Sequence, residues 1–284
     1  MKANEINIRD PFVLLDDDIY YMYGTRGSEC WEGKSYGLDV YVSKDLENWS
    51  EPVEVFTRPE DFWADRDFWA PEVHKYKGSY YMFVSFKCDG RCRGTQILKA
   101  ESPMGPFLLH SDGPVTPPDW ECLDGTLYVE NDTPYMVFCH EWVQVKDGEM
   151  CAVELTKDLK AAVGEPVLLF KASEPAWAGV AADRYVTDGP FLYKTAGGRL
   201  IMIWSSLTDS YCEALSYSEN GSLLGKWVHD ERLLFAKDGG HGMFFHDLSG
   251  QMKFVCHQPN GPQYHERPIF MDIVEADGTL YAEE

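Results

Sequence analysis

Long apolar runs are missing from this chain of 284 residues. No stretch reaches the ~18 apolar residues that a membrane-spanning helix needs. Basic residues are also scarce: 25 Lys and Arg stand against 47 Asp and Glu, for a net charge of −22. Nucleic acids and anionic membranes are met by clustered cations, so neither is expected as a partner. The acidity is read as a solubility feature. The sequence has no P-loop, no dinucleotide-binding glycine fingerprint, no His-Glu-x-x-His and no Gly-x-Ser-x-Gly. The eight cysteines are scattered. Only Cys88 and Cys92 lie close, and no second pair sits at zinc-site spacing, so a structural zinc is not expected. The opening Met1-Lys2-Ala3-Asn4-Glu5-Ile6 has no apolar export segment. With the scattered cysteines, that predicts reduced thiols and a cytoplasmic location.

Helical periodicity is rare. Apolar residues alternate, or run for four to eight positions between Gly, Pro, Asn and Asp, as strands do. Five stretches share one frame of strand, turn and strand: Asp10-Pro11-Phe12-Val13, Ala70-Pro71-Glu72-Val73, Asp124-Gly125-Thr126-Leu127, Asp188-Gly189-Pro190-Phe191 and His241-Gly242-Met243-Phe244. Each is followed by a turn and a second apolar run. A repeat at this period is the signature of a propeller. The prediction is all-β: a five-bladed propeller with four antiparallel strands per blade, one domain over residues 1–284. A two-sheet sandwich, the other all-β option, leaves five hairpins in one frame unexplained. Segments 54–68 and 171–187 are read as rim loops around an axial pocket. Aromatics make up 14% of the chain. Part of that supplies a β-core and part could stack on flat ligands such as sugar rings.

In a propeller, one position of every blade converges on the axis. The predicted ring is Asp10, Ala70, Asp124, Asp188 and His241. Crowded carboxylates repel, which raises at least one pKa and sets a proton donor beside an ionised base. Glycosidic cleavage needs such a pair, and a blade between Asp10 and Asp188 leaves the gap that an inverting mechanism uses for water. The bland alternative for each Asp is a turn residue capping nearby amides. His241 could be held charged, bind a metal or water, or serve as a hydrogen-bonded core residue. Trp69 is a pocket wall or a core residue. Glu72 shares a strand face with Ala70, and Glu141 and Glu213 end or begin strands nearby; each competes for the acid role or lies on the rim. Glu266-Arg267 reads as an ion pair or a contact to a substrate hydroxyl.

These residues resemble glycoside hydrolase family 43. Arg9-Asp10-Pro11 is similar to that family's opening motif, Phe68-Trp69-Ala70-Pro71-Glu72-Val73 to its Trp-Ala-Pro-Glu segment, and Thr187-Asp188-Gly189-Pro190-Phe191 to its Glu-Gly-Pro motif. Gly240-His241-Gly242 and His265-Glu266-Arg267-Pro268 resemble its blade-five and closing segments. The resemblance implies Asp10 as base, Asp124 as the residue that tunes the acid and orients substrate, and Asp188 as general acid. It implies arabinofuranosides or β-xylosides, with galactosides a further option, as small neutral substrates in polysaccharide degradation. Trp69, Glu72, Glu141, His241 and Arg267 are the expected substrate contacts. No cofactor is required, and a calcium ion near His241 is left open. One departure stands out: the acid position holds Asp, not Glu. Its proton sits about 1.5 Å further back, one C–C bond, and a misplacement of ~1 Å can cost ~10²-fold in rate. Two alternatives follow: a propeller that binds sugars without cleaving them, and a phosphorylase using Arg9, Arg66, Arg184 or Arg267.

Overall fold

Each of the five repeats builds one sheet. The computed structural model describes residues 1–179 and 183–283, and in them five sheets of four antiparallel strands form a five-bladed β-propeller. Blade one holds β1 (Ile8–Asp16), β2 (Ile19–Arg26), β3 (Gly37–Ser43) and β4 (Val53–Thr57). Blade two holds β5 (Arg66–Tyr76), β6 (Ser79–Cys88), β7 (Arg91–Ala100) and the short β8 (Leu108–Leu109). Blade three holds β9 (Cys122–Glu130), β10 (Thr133–His140), β11 (Glu149–Leu155) and β12 (Ala162–Lys171). Blade four holds β13 (Asp188–Lys194), β14 (Leu200–Leu207), β15 (Tyr211–Ser218) and β16 (Trp227–Phe235). Blade five holds β17 (Gly240–His246), β18 (Met252–Gln258), β19 (Arg267–Ala276) and β20 (Thr279–Ala282). The first strands of neighbouring blades touch and surround the axis.

The second strand of each blade is largely apolar, as in the run Tyr80 to Phe86. Side chains of these strands enter the interblade core, where Phe86 of β6 packs with Phe56 of β4, Phe68 of β5 and Phe62 from the segment between them. That packing corrects one expectation. Of segment 54–68, the first residues belong to β4, and Phe62 packs into the core because its ring has four aromatic neighbours to bury against. In segment 171–187, residues 180–182 lie outside the described ones. Blade five is built wholly from the C-terminal strands. Polar side chains join it to blade one: Arg9 Nη1 donates to Glu266 Oε1 at 3.3 Å, and Arg9 Nη2 to Asn260 Oδ1 at 3.0 Å.

Every first strand is irregular where it reaches the pocket. The register with the second strand slips between Arg9 and Phe12, between Trp69 and Glu72, between Asp188 and Phe191, and between Gly240 and Met243. In blade three the slip falls between the partners of Leu123 and Thr126. At each slip one residue takes a left-handed backbone: Asp10 (φ 53°), Ala70 (49°), Asp124 (58°), Gly189 (50°) and His241 (52°). In blade four the axial position therefore falls one residue later than the frame predicts. Gly189, not Asp188, is the counterpart of Asp10 and Asp124. Asp188 is the counterpart of Arg9, Trp69, Leu123 and Gly240, one residue nearer the mouth. Aligning on Asp alone concealed this; aligning Gly189-Pro190-Phe191-Leu192 on Asp10-Pro11-Phe12-Val13 reveals it.

Candidate active site

The slips present two tiers of side chains to one cavity of about 200 Å³ on the propeller axis. That is room for several ordered waters or a small polar ligand. Arg9, Trp69, Leu123 and Asp188 come from the outer tier, and Asp10, Asp124 and His241 from the inner one. Cys30, Trp31, Glu141, Trp142 and Tyr211, at or just beyond the ends of strands, complete the wall.

The inner tier is fixed by hydrogen bonds from blade to blade. The backbone N–H of Ala70 donates to Thr25 Oγ1 at 2.8 Å, that of Asp124 to Ser85 Oγ at 2.9 Å, that of His241 to Ser205 Oγ at 2.6 Å, and that of Asp10 to His257 Nδ1 at 3.3 Å. Each acceptor sits on the second strand of the preceding blade. A bulged, left-handed residue would otherwise bury an unpaired amide. In blade three the residue at the equivalent position is Cys139, a poor acceptor. There the Gly189 N–H donates to Oδ2 of Asp124 itself, at 2.9 Å.

Charge separates the carboxyls by role. Burial alone would raise the pKa of Asp10, but His241 and Arg9, together with a hydrogen bond from Thr25, pull it below the ordinary carboxylate value. His241 Nδ1 lies 3.4 Å from Asp10 Oδ1 and 3.6 Å from Asp124 Oδ2. Burial would lower the pKa of this imidazole; the Asp124 and Asp10 carboxylates outweigh it and raise it to about 8. His257 is the opposite case. Burial, with Arg9 beside it, takes its pKa well below the ordinary value. Its Nδ1 accepts from the Asp10 amide, so its 3.4 Å approach to Asp10 Oδ1 is no ion pair. Asp188 is raised to about 7 by burial, then by Asp124 and Glu141. Asp124 is raised too, by burial and Asp10, with His241 opposing. An ionised carboxylate and a protonated carboxyl therefore share one cavity near neutral pH, the arrangement that acid–base cleavage uses.

The walls have their own supports. Three indoles line the cavity, and each has a guanidinium over its ring: Arg9 over Trp31 at 4.5 Å, Arg93 over Trp69 at 4.3 Å and Arg184 over Trp142 at 4.1 Å. Arg93 also pairs with Glu141, and with Asp67 at 2.9 Å. Trp31 Nε1 donates to the buried Glu266 Oε1 at 3.0 Å, and Trp69 Nε1 to the Cys30 carbonyl at 3.0 Å. Such stacks hold an indole face steady for the C–H face of a sugar.

Asp10, Asp124, Asp188, Trp69, Glu141 and His241 thus meet in one cavity. Two expected contacts do not. Glu72 is buried below the cavity, where its carboxylate meets His74 Nε2 at 3.0 Å; alternation along β5 carries it a tier too deep. Arg267 points to the rim, bonding the backbone carbonyls of Asn4, Tyr264 and Glu266. Its neighbour Glu266 turns inward instead. Glu213, a competing acid, is fully buried, accepts from Ser205 and the Gly242 amide, and does not line the cavity. Of the arginines considered for phosphate, Arg9 alone lines the cavity, and Glu266 and Asn260 hold it. Calcium prefers six to eight oxygen ligands. His241 offers a nitrogen on a ring held cationic, and among the described residues no three His, Cys, Asp or Glu are placed to hold a metal. The buried Nε2 of His241 has no hydrogen-bond partner among the described residues, and no step below uses a metal ion. Sequence reasoning missed Thr25, Trp31, Arg93, Trp142, Tyr211 and His257. Thr25 and His257 had a signal: a polar residue near the end of an apolar second strand.

The family model described as Glycosyl hydrolases family 43 matches residues 5–280. A solved structure described as an endo-arabinase from Bacteroides thetaiotaomicron is 40% identical, with 98% of each chain covered and a TM-score of 0.90. An extracellular endo-α-(1→5)-L-arabinanase of Bacillus subtilis is 24% identical over 51% of this chain and 46% of its own. An extracellular exo-α-(1→5)-L-arabinofuranosidase of Cellvibrio japonicus is 26% identical over 39% of this chain and 32% of its own. The match thus spans less than half of either curated relative. Both are extracellular, which overturns the cytoplasmic expectation. The cysteines misled because all eight are free and six of them are buried. Such thiols behave as small apolar groups and report little about compartment.

Proposed function

The chain belongs to glycosyl hydrolases family 43 and is a glycoside hydrolase, and on that premise we propose that it cleaves α-1,5-linked L-arabinofuranosyl chains with inversion. The observation that carries this is the cavity itself, where ionised Asp10 and protonated Asp188 face one space between tryptophans. The arabinan preference rests on the end-to-end likeness to the Bacteroides endo-arabinase. Its setting, like that of the curated relatives, is outside the cell.

In this reading the sugar lies against the indoles of Trp69 and Trp31. Asp10 takes a proton from water as that water attacks the anomeric carbon. Asp188 gives its proton to the departing glycosidic oxygen. Asp124, between them, raises the pKa of Asp188 and accepts a sugar hydroxyl. His241 keeps Asp10 ionised. Asp188 stands one residue nearer the mouth than Asp10 and Asp124.

The test is incubation with linear arabinan, xylo-oligosaccharides and aryl galactoside, with product anomers followed by NMR. Release of the inverted anomer from arabinan, lost in Asp10→Asn by about 10²-fold or more, is expected. Full turnover by Asp10→Asn, or preference for xylan, would overturn it. The sugar-binding alternative predicts calorimetric binding of arabino-oligosaccharide with no product.

A further inference from the structure

Thr25 lies one residue before the end of β2, opposite Arg9, and is 1% exposed. Its hydroxyl makes two bonds. It accepts from the Ala70 N–H at 2.8 Å and donates to Asp10 Oδ2 at 2.6 Å. These directions follow from the chemistry. A backbone N–H only donates, so the hydroxyl must accept there, and its single proton is left for the carboxylate. An ionised carboxylate is an acceptor only, so the bond suits the ionised form of Asp10 and opposes its protonation.

The equivalent residues behave differently. Ser205 accepts from the His241 N–H but sends its proton to Glu213 Oε1 at 2.8 Å, away from the cavity. Thr25 sends its proton to a carboxyl that lines the cavity, and it comes from the blade wall, not from the substrate side. The other groups facing Asp10 are Arg9 on its own strand, Cys30 beyond β2, Asp124 from blade three, and His241 and His257 from blade five. His241 contacts Oδ1, and Thr25 holds Oδ2.

We propose that Thr25 is the positioning residue of the base: tied to blade two through the Ala70 amide, it fixes the rotation of the Asp10 carboxylate and favours its ionised form. This rests on the assignment of Asp10 as base, so its test includes a readout that does not depend on turnover. The Asp10 carboxyl is followed by ¹³C NMR as a function of pH, its signal identified by loss in Asp10→Asn. In Thr25→Val the Asp10 titration is expected to move up by about one unit or more, the effect of losing a hydrogen bond to a charged group. The acidic limb of kcat/KM moves with it, with KM unchanged. Thr25→Ser, which keeps the hydroxyl, returns the titration to its wild-type position. If Thr25→Val does not fold, Thr25→Ala, which admits water to the Ala70 amide, is read the same way.

A threonine that only fills space predicts the reverse: valine harmless and serine damaging. That outcome, or an unmoved Asp10 titration in a folded variant lacking the hydroxyl, overturns the proposal. An Asp10→Asn enzyme with full activity would instead sink the base assignment, while the carboxyl titration would still decide the role of Thr25.

Discussion

The Gly189 N–H donates to Asp124 Oδ2 at 2.9 Å, where other blades use a hydroxyl or an imidazole from a second strand. Asp124 therefore fastens blade four to blade three as well as facing the cavity. Asp124→Asn keeps an acceptor oxygen for Gly189 but removes the charge that raises Asp188. Its alkaline limb of kcat/KM is expected to fall below the wild-type position near 7, with little change in melting temperature. Asp124→Ala also leaves the Gly189 amide unpaired, and should cost a further ~1–3 kcal/mol of stability. Thermal melts and pH profiles of the two variants separate the roles.

Tyr211 donates to Asp188 Oδ2 at 3.1 Å. The bond favours the ionised form of Asp188, so its removal should raise the pKa further. Tyr211→Phe is expected to move the alkaline limb upward by up to about one unit. A limb that stays or falls would argue against Asp188 as the group it reports.

Asp188→Asn should expose the acid role through the leaving group. Loss of a general acid costs roughly 10²–10⁴-fold on a poor leaving group, here the sugar hydroxyl of arabinan. An aryl glycoside with an acidic phenol leaves without protonation, so it should lose much less. Equal losses on both would remove the acid assignment.

Arg93 stacks on Trp69 and pairs with Glu141, yet does not line the cavity. Arg93→Met frees both wall groups and leaves Glu141 buried without its partner. KM for arabino-oligosaccharides is expected to rise about tenfold, the equivalent of ~1.4 kcal/mol, with a smaller effect on kcat. Steady-state kinetics checks the split.

Glu213 gives a stability prediction with a definite sign. Burial holds its pKa at about 8, against 4.5 for the free side chain, although Ser205 and the Gly242 amide favour the ionised form. Between these values the folded chain keeps a proton that the unfolded chain releases. Stability from this group is complete below about 4.5 and declines as pH rises toward about 8. The loss by pH 7 is on the order of 3 kcal/mol, at ~1.4 kcal/mol per unit. Denaturation of Glu213→Gln from pH 5 to pH 8 should show a flatter profile than wild type.

The five hairpins were legible because each repeats one pattern of turn and apolar alternation, and those features are local. The meeting of Asp10, Asp124 and His241 was legible once the repeats were superposed. The shift at Asp188 was not, since two Asp residues at adjacent frame positions look alike until backbone angles distinguish Asp188 from Gly189. Glu72 and Arg267 failed for a related reason. Alternation says which face a side chain takes, but not the depth of the tier, nor which of two neighbours turns inward. Trp31 and Trp142 stand outside the strands, Arg93 reaches Trp69 from two strands away in the same blade, and closure of the ring brings Glu266 to Trp31.

The left-handed backbone at the five axial positions limits what evolution or design can place there. Asp, His and Gly adopt that conformation most readily, Ala at some cost, and β-branched residues poorly. Valine, isoleucine and threonine are thereby nearly excluded from the axis, although they abound in the strands around it. Ala70 and Gly189 are the two axial positions without a functional side chain. An aspartate or histidine could enter either with the main chain already shaped for it, though Gly189 would first need His241 to move, since its ring atoms lie 2.8 and 2.9 Å from where a Cβ would stand. Ala70 already carries a Cβ on that backbone, so it is the axial position where a further polar group would ask least of the main chain.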